Sequence, residues 1–315
     1  MKNVDVIALG GNAILPAGKA GTITEQFEVT RVTMDQIVRL IEHGRTVVLT
    51  HGNGPIVGNI VLRNEAASDI IPPMPLDICG ADSQGGIGYM IQQTLGNILR
   101  ENGIGKNVVS LVTQVLVDKD DPAFKNPVKP IGPFYSREEA GRLTEQKGWS
   151  MIEDSNRGYR RAVPSPKPVE IIEKPIIEQL VEKGEIVVTV GGGGVPVVRE
   201  GDNIRGVEAV IDKDLASAVL ARDLDADRLI ILTSVDAVYK GFGTPHAEAL
   251  HELSDEEARK LLAQGEFPPG SMGRKIEAAL SFLSSEEKLA VIAQPENLAD
   301  ALEGKAGTRI FKASK

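Results

Sequence analysis

Short runs of β-branched and aliphatic residues alternate along this chain with longer stretches whose apolar residues recur at helical spacing. No other feature constrains the fold so tightly. Residues 4–9 (VDVIAL) form one run, residues 29–43 repeat apolar positions every three or four residues, and residues 46–50 (TVVLT) form the next run. The helix stops at His43-Gly44, where glycine supplies a left-handed turn, and the following strand begins at once. Further strands are predicted at 107–117, 186–190, 228–232, 289–293 and 307–310. Helices are predicted at 84–102, 174–183, 214–222, 254–264 and 272–284, with Ser254 and Glu257 in a capping-box pattern. Parallel strands need crossover connections, and helices provide them. The pattern therefore predicts an α/β fold with a mostly parallel central sheet covered by helices on both faces.

Residues 118–168 break the rhythm. Pro122, Pro127, Pro130, Pro133, Pro164, Pro166 and Pro168 fall within them, and proline is excluded from helix interiors and central strands. A structureless loop of this length is rare in a compact domain, so the segment reads as an inserted subdomain.

Three glycine-rich segments follow predicted strands: Gly10-Gly11-Asn12, Gly52-Asn53-Gly54-Pro55 and Gly191 to Gly194, with Gly192 and Gly193 at its centre. In an open parallel sheet the carboxyl ends of the strands share one edge, where ligands bind. Glycine lets backbone N–H groups approach an anion, and a following helix adds the positive end of its dipole. Three such loops at one edge signal a phosphate site, although each alone is also compatible with a tight turn. The Walker pattern is absent. Gly52-x-Gly54-x-x-x-Gly58 imitates a dinucleotide fingerprint only loosely, because Pro55 interrupts it and Pro72, Pro73 and Pro75 occupy the region where the second strand should end.

Phosphoryl transfer needs backbone donors and fixed cations around the moving group. Lys129, Lys213 and Lys275 stand in unusual contexts: between two prolines, between two aspartates, and after Gly270-Ser271-Met272-Gly273-Arg274. The carboxylates flanking Lys213 could hold its ammonium when part-buried. On composition alone each lysine reads first as an ordinary solvated one. Asp214 opens a helix and is a candidate N-cap. Residues 233–239 leave a strand at the same edge, so Thr233, Val235, Asp236 and Tyr239 could hold a nucleotide base or ribose, or form a polar turn.

Composition narrows the function further. The chain has 315 residues, a formal charge of -9 and 4% aromatic residues, which argues against a nucleic-acid binder. Cys79 is the one cysteine, so no internal disulfide is possible. It reads as a buried thiol, and a reducing cytoplasm is the default compartment. No apolar run approaches membrane-spanning length, and Asp5 interrupts the first apolar stretch, which reads as a buried strand and not a signal peptide. His43, His51, His246 and His251 show no metal-ligand spacing, so no protein-held metal is predicted and magnesium would arrive with a nucleotide. His51 beside its glycine loop reads as structural.

Taken together, Gly10-Gly11-Asn12-Ala13, HGNGP at 51–55, NPVKPIGPFY at 126–135, VPSPKP at 163–168, the Gly191 to Pro196 segment, VIDKD at 210–214 and Ser271-Met272-Gly273 resemble the carbamate kinases of the amino-acid kinase superfamily, in matching order over nearly the whole chain. The resemblance implies an open three-layer αβα sandwich with a small protruding subdomain at about 118–168. It implies a carbamate-binding lobe to about residue 195, a nucleotide-binding lobe from about 196 to 315, and a homodimer. The implied reaction is ATP plus carbamate giving ADP plus carbamoyl phosphate, run mostly backwards to make ATP. Gly10, Gly11, Asn12, Gly52, Asn53 and Gly54 then look like donors around the carbamate and phosphoryl groups. Lys213 and Lys275 resemble the stabilising cations, Asp214 the carboxylate that orients them, and Lys129 the subdomain lysine over carbamoyl phosphate. Met272 and Gly273 join the nucleotide site.

Ala8 stands where many superfamily relatives carry a lysine, and Lys213 is the replacement charge. Ile56, Asp82, Gly86 and Arg274 depart from the family pattern. An Asp82 facing the pocket would oppose an anionic substrate, so either it faces elsewhere or the substrate differs. Two other readings stay open: transfer to another carboxylate or a phosphonate, and a nucleotide-binding regulator without catalysis.

Overall fold

The computed structural model describes residues 3–14, 21–154, 157–268 and 270–313. In its first part the chain forms β1 (Val4–Leu9), α1 (Ile23–Glu42), β2 (Thr46–His51), α2 (Gly54–Ala66), α3 (Leu76–Glu101), β3 (Val108–Ser110) and β4 (Gln114–Val117). There follow β5 (Lys129–Tyr135), α4 (Arg137–Lys147), β6 (Ser150–Glu153), β7 (Tyr159–Val163), β8 (Pro168–Ile171), α5 (Lys174–Glu182), β9 (Ile186–Val188), β10 (Val195–Glu200) and β11 (Asn203–Gly206). The last part holds α6 (Lys213–Asp223), β12 (Arg228–Leu232), β13 (Val238–Lys240), β14 (Glu248–Leu250), β15 (Glu252–Ser254), α7 (Asp255–Ala263), α8 (Met272–Phe282), β16 (Leu289–Ala293), α9 (Leu298–Leu302) and β17 (Thr308–Phe311).

One eight-stranded sheet in the order β15-β17-β16-β12-β1-β2-β9-β3 forms the middle layer. It is parallel from β16 to β3, and β17 runs antiparallel to β16. Val4, Val6 and Ala8 of β1 join one apolar cluster with α5, α6, α7 and α8. Ile7 and Leu9 join the other with α1, α3 and α9. Burial on both faces explains why these strands read as unbroken apolar runs.

The predicted strand at 107–117 divides between two sheets. Buried Gln84 accepts from the Thr113 N–H at 2.8 Å, taking that donor from strand pairing, and donates at 3.0 Å to the Thr113 carbonyl, which also accepts from the Val195 N–H. Beyond this break, β4 joins a second sheet in the order β11-β10-β4-β8. Helix α2 had no clear sequence signal. Pro55 lies in its first turn, where a missing N–H costs nothing, and Gly58 lies at a close approach to β5.

Residues 118–168 leave and return at paired positions, Val117 opposite Pro168. They build the antiparallel sheet β5-β7-β6 with α4 beside it. Pro130 and Pro133 sit in β5, an edge strand, where a missing donor is tolerated. A Cβ on Gly58 of α2 would lie 2.6 Å from the Gly132 Cα, so this glycine pair lets α2 and β5 touch backbone to backbone. Cys79 is fully buried beneath α2, and burial pushes its thiol up.

At the amino ends of the strands, Asp5 of β1 is completely buried. It accepts from Arg228 at 2.7 and 2.5 Å and from Arg45 at 3.0 and 2.5 Å, tying β12, β1 and β2 together. Removing one partner from such a buried charge cluster strands the others. Asp5→Asn is expected to cost about 3–5 kcal/mol, measured by urea denaturation.

Candidate active site

The carboxyl ends of β1, β2, β9 and β12 open onto one edge of the sheet, and their loops meet three helix starts. Two glycines make the meeting possible. A Cβ on Gly52 would lie 3.2 Å from Lys213 Cδ and 3.7 Å from the Gly11 nitrogen. Gly192 has φ +66°, and a Cβ there would strike the Asn53 amide at 2.2 Å. Asn53 precedes α2 without a side-chain cap bond, and its amide Nδ2 donates to Ser83 Oγ at 2.8 Å. Ser271 likewise leaves α8 uncapped by its side chain. Open N–H groups and the positive ends of two helices therefore face the site.

Asp212, not Asp214, is the N-cap of α6, accepting from the Asp214 N–H at 3.0 Å. That frees the Asp214 carboxylate, which is 3% exposed, for two lysines. Lys213 donates to Oδ1, and Lys275, 61 residues beyond Asp214, donates to Oδ2 at 2.7 Å. Burial alone would raise the Asp214 carboxyl, but the two ammoniums outweigh it and hold it well below the usual carboxylate range. Lys213 moves below its ordinary value, chiefly because it is buried; Asp214 opposes the shift and Lys275 adds to it. Asp212 makes no hydrogen bond to Lys213, although its charge helps keep that ammonium protonated as its flanking position suggested; its Oδ2 accepts from Lys129 at 2.9 Å. Three ammoniums face two carboxylates, so the cleft keeps a positive charge inside an acidic chain, a setting that an anion completes.

This cleft, about 220 Å³, is lined by Gly52, Asn53, Gly54, Lys129, Gly192, Lys213, Asp214 and Lys275. Gly11 lies against Gly52, and Gly10 abuts the Leu232 carbonyl. Asn12 lies in the short turn Gly11–Ala13, with its side chain outside the described residues. Gly193 does not line the cleft; it packs against the Ile211 carbonyl. Ser271 also borders a smaller pocket of about 90 Å³, lined by Thr233, Val235, Tyr239, Met272, Phe242 and Pro268. Asp236 lies outside that lining and accepts from the Tyr239 hydroxyl at 2.9 Å. Gly273 also lies outside it, close to the Pro268 carbonyl.

Sequence reasoning missed Asp212 as a partner of Lys129, as well as Ser271 and Phe242. An aromatic between Gly241 and Gly243 in an aromatic-poor chain was the available signal for Phe242. The departures from the family pattern stay out of the cleft: Asp82 is exposed, Ile56 packs against the core, and Arg274 pairs with Glu277 at 2.8 Å. A larger cleft of about 510 Å³ lies between α2 and residues 147–164, but its cations are taken, Lys147 by Glu65 and Arg161 by Glu208. Among the described residues no group of three His, Cys, Asp or Glu side chains could hold a metal, and none of the helices could cross a membrane. The cleft carboxylates Asp212 and Asp214 are both engaged by lysines.

Residues 3–294 match the sequence profile of the Amino acid kinase family. The chain belongs to that family, among its carbamate kinases. It is 50% identical to the carbamate kinase of Pyrococcus horikoshii over 97% of this chain and 98% of that one. Identity to the Clostridium perfringens carbamate kinase is 49%, over 98% and 99%. The solved structure of carbamate kinase from Giardia lamblia bound to AMP-PNP superimposes with a TM-score of 0.92 at 44% identity, covering 99% of both chains.

Beneath the kinase cleft, His51 is buried and donates from Nδ1 to the Gly52 carbonyl at 3.1 Å. Burial, with a smaller contribution from Lys213, lowers it to about 4 against that hydrogen bond, so it is neutral at pH 7. The unfolded chain takes up this proton near pH 6.5 and the folded chain only near 4. Stability is therefore full above 6.5 and falls with acidification between those values, by about 3 kcal/mol. Urea midpoints measured from pH 7 to 4 should show this slope, and His51→Asn should flatten it.

Proposed function

We propose that this chain transfers a phosphoryl group reversibly between ATP and carbamate, working mainly from carbamoyl phosphate and MgADP toward ATP. The observation that carries the reading is the Lys213–Asp214–Lys275 cluster lying between the glycine loops and the Thr233–Met272 pocket. A β-phosphate oxygen of ADP attacks phosphorus, the bond from phosphorus to the carbamoyl oxygen breaks, and carbamate leaves with that electron pair. Negative charge spreads over the moving oxygens, where Lys213 and Lys275 act as preorganised cations. Asp214 keeps both ammoniums aimed and charged. Lys129 covers the carbamoyl end, and backbone N–H groups of Gly10–Asn12 and Gly52–Gly54 hold the transferred group. Residues to about 195 serve carbamate, with 118–168 as a covering subdomain, and those from about 196 serve the nucleotide. The working unit is a homodimer, checked by light scattering.

ATP formation should be seen with carbamoyl phosphate and not with acetyl phosphate or N-acetylglutamyl phosphate. Preference for either alternative donor would reassign the acceptor, and nucleotide binding without ATP formation would make the chain a regulator. Lys213→Ala should keep the fold by circular dichroism and lower kcat about a hundredfold or more. Turnover near that of the parent would remove Lys213 from the mechanism.

A further inference from the structure

Lys129 is the first residue of β5, where the chain enters the antiparallel sheet of the subdomain, while Lys213 and Lys275 belong to the helices of the body. All three line one cleft. Like charges brought this close repel, and a lysine on a four-carbon stem leaves for water unless something holds it. What holds it is Asp212, whose side chain is 11% exposed and whose two oxygens have separate tasks. Oδ1 caps α6 and thereby aims the backbone that carries Lys213 and Asp214. Oδ2 accepts from Lys129, 83 residues away in sequence.

We propose that Asp212 is a positioning residue of the transfer reaction. It sets the Lys129 ammonium over the carbamoyl end of the cleft and registers the subdomain against α6, the helix that bears Lys213. The proposal rests on the phosphoryl-transfer reading above. Asp212 touches no reacting atom; its carboxylate charge acts chiefly through Lys129, with which it is hydrogen-bonded, and only from a distance on Lys213.

The two tasks separate by substitution. Asp212→Asn keeps a capping oxygen and loses the charged acceptor, so it should melt within about 2 °C of the parent. It should raise the KM for carbamoyl phosphate about ten- to a hundredfold while leaving the KM for MgADP within about twofold, a split that general loosening of the fold would not produce. Because Asp212 acts through Lys129, the Lys129→Ala/Asp212→Asn double variant should be no worse than Lys129→Ala alone. Kinetics of Asp212→Asn like those of the parent, or losses that multiply in the double variant, would overturn the assignment. If the Asn variant does not fold, Asp212→Ser carries the same test, since serine caps a helix and is too short to reach Lys129.

A second readout needs no turnover. Lys129 should be acetylated by acetic anhydride several-fold faster in Asp212→Asn than in the parent, followed by mass spectrometry, and equal rates would break the tie. A parent chain that makes no ATP would remove the functional reading while this labelling still decides the Asp212–Lys129 contact.

Discussion

One buried carboxylate shared by two buried ammoniums is the constraint around which the site is built. Asp214 alone, at 3% exposure, would be driven toward its neutral form; Lys213 alone would be driven to lose its proton. Together they hold a charge in a place from which water is largely excluded, and the second lysine leaves that charge positive. Electrostatics is strong in such a place, and an anion whose charge grows during reaction gains from it in a way no surface lysine could offer.

The fold places this arrangement by dividing the sheet into two ends with opposite tasks. At the amino ends Asp5 and Asp227 balance Arg45 and Arg228 and lock three adjacent strands. At the carboxyl ends glycines let the loops lie close to one another and to the side chains of His51, Asn53 and Lys213. The closed edge and the open edge belong to the same strands, and at the open one the Gly52 loop lies against Lys213. The subdomain is a third body at this edge. It reaches the cleft through Lys129 and rests on α2 at Gly58 and Gly132.

Much of this was legible in the amino-acid order because its causes are local. Strands at 4–9, 228–232 and 289–293 coincide with the apolar runs, and Ser254 accepts from the Glu257 N–H at 3.2 Å, the N-cap half of its capping-box pattern. What went unread had a distant cause. Residues 107–117 looked like one strand because the glutamine that divides them, Gln84, lies on another helix. The aspartates around Lys213 look equivalent in sequence, yet one caps a helix and reaches the subdomain while the other takes two lysines.

The sequence by itself determined the alternation of strands and helices, the interruption by a proline-rich segment, and the presence of glycine loops and lysines suited to a phosphate, since periodicity, turn chemistry and charge are properties of neighbouring residues. Only the tertiary structure decided which carboxylate serves which ammonium. Such pairing depends on distances of a few ångströms between residues 61 and 83 positions apart, and those distances exist only once the sheet, the helices and the inserted subdomain have packed together.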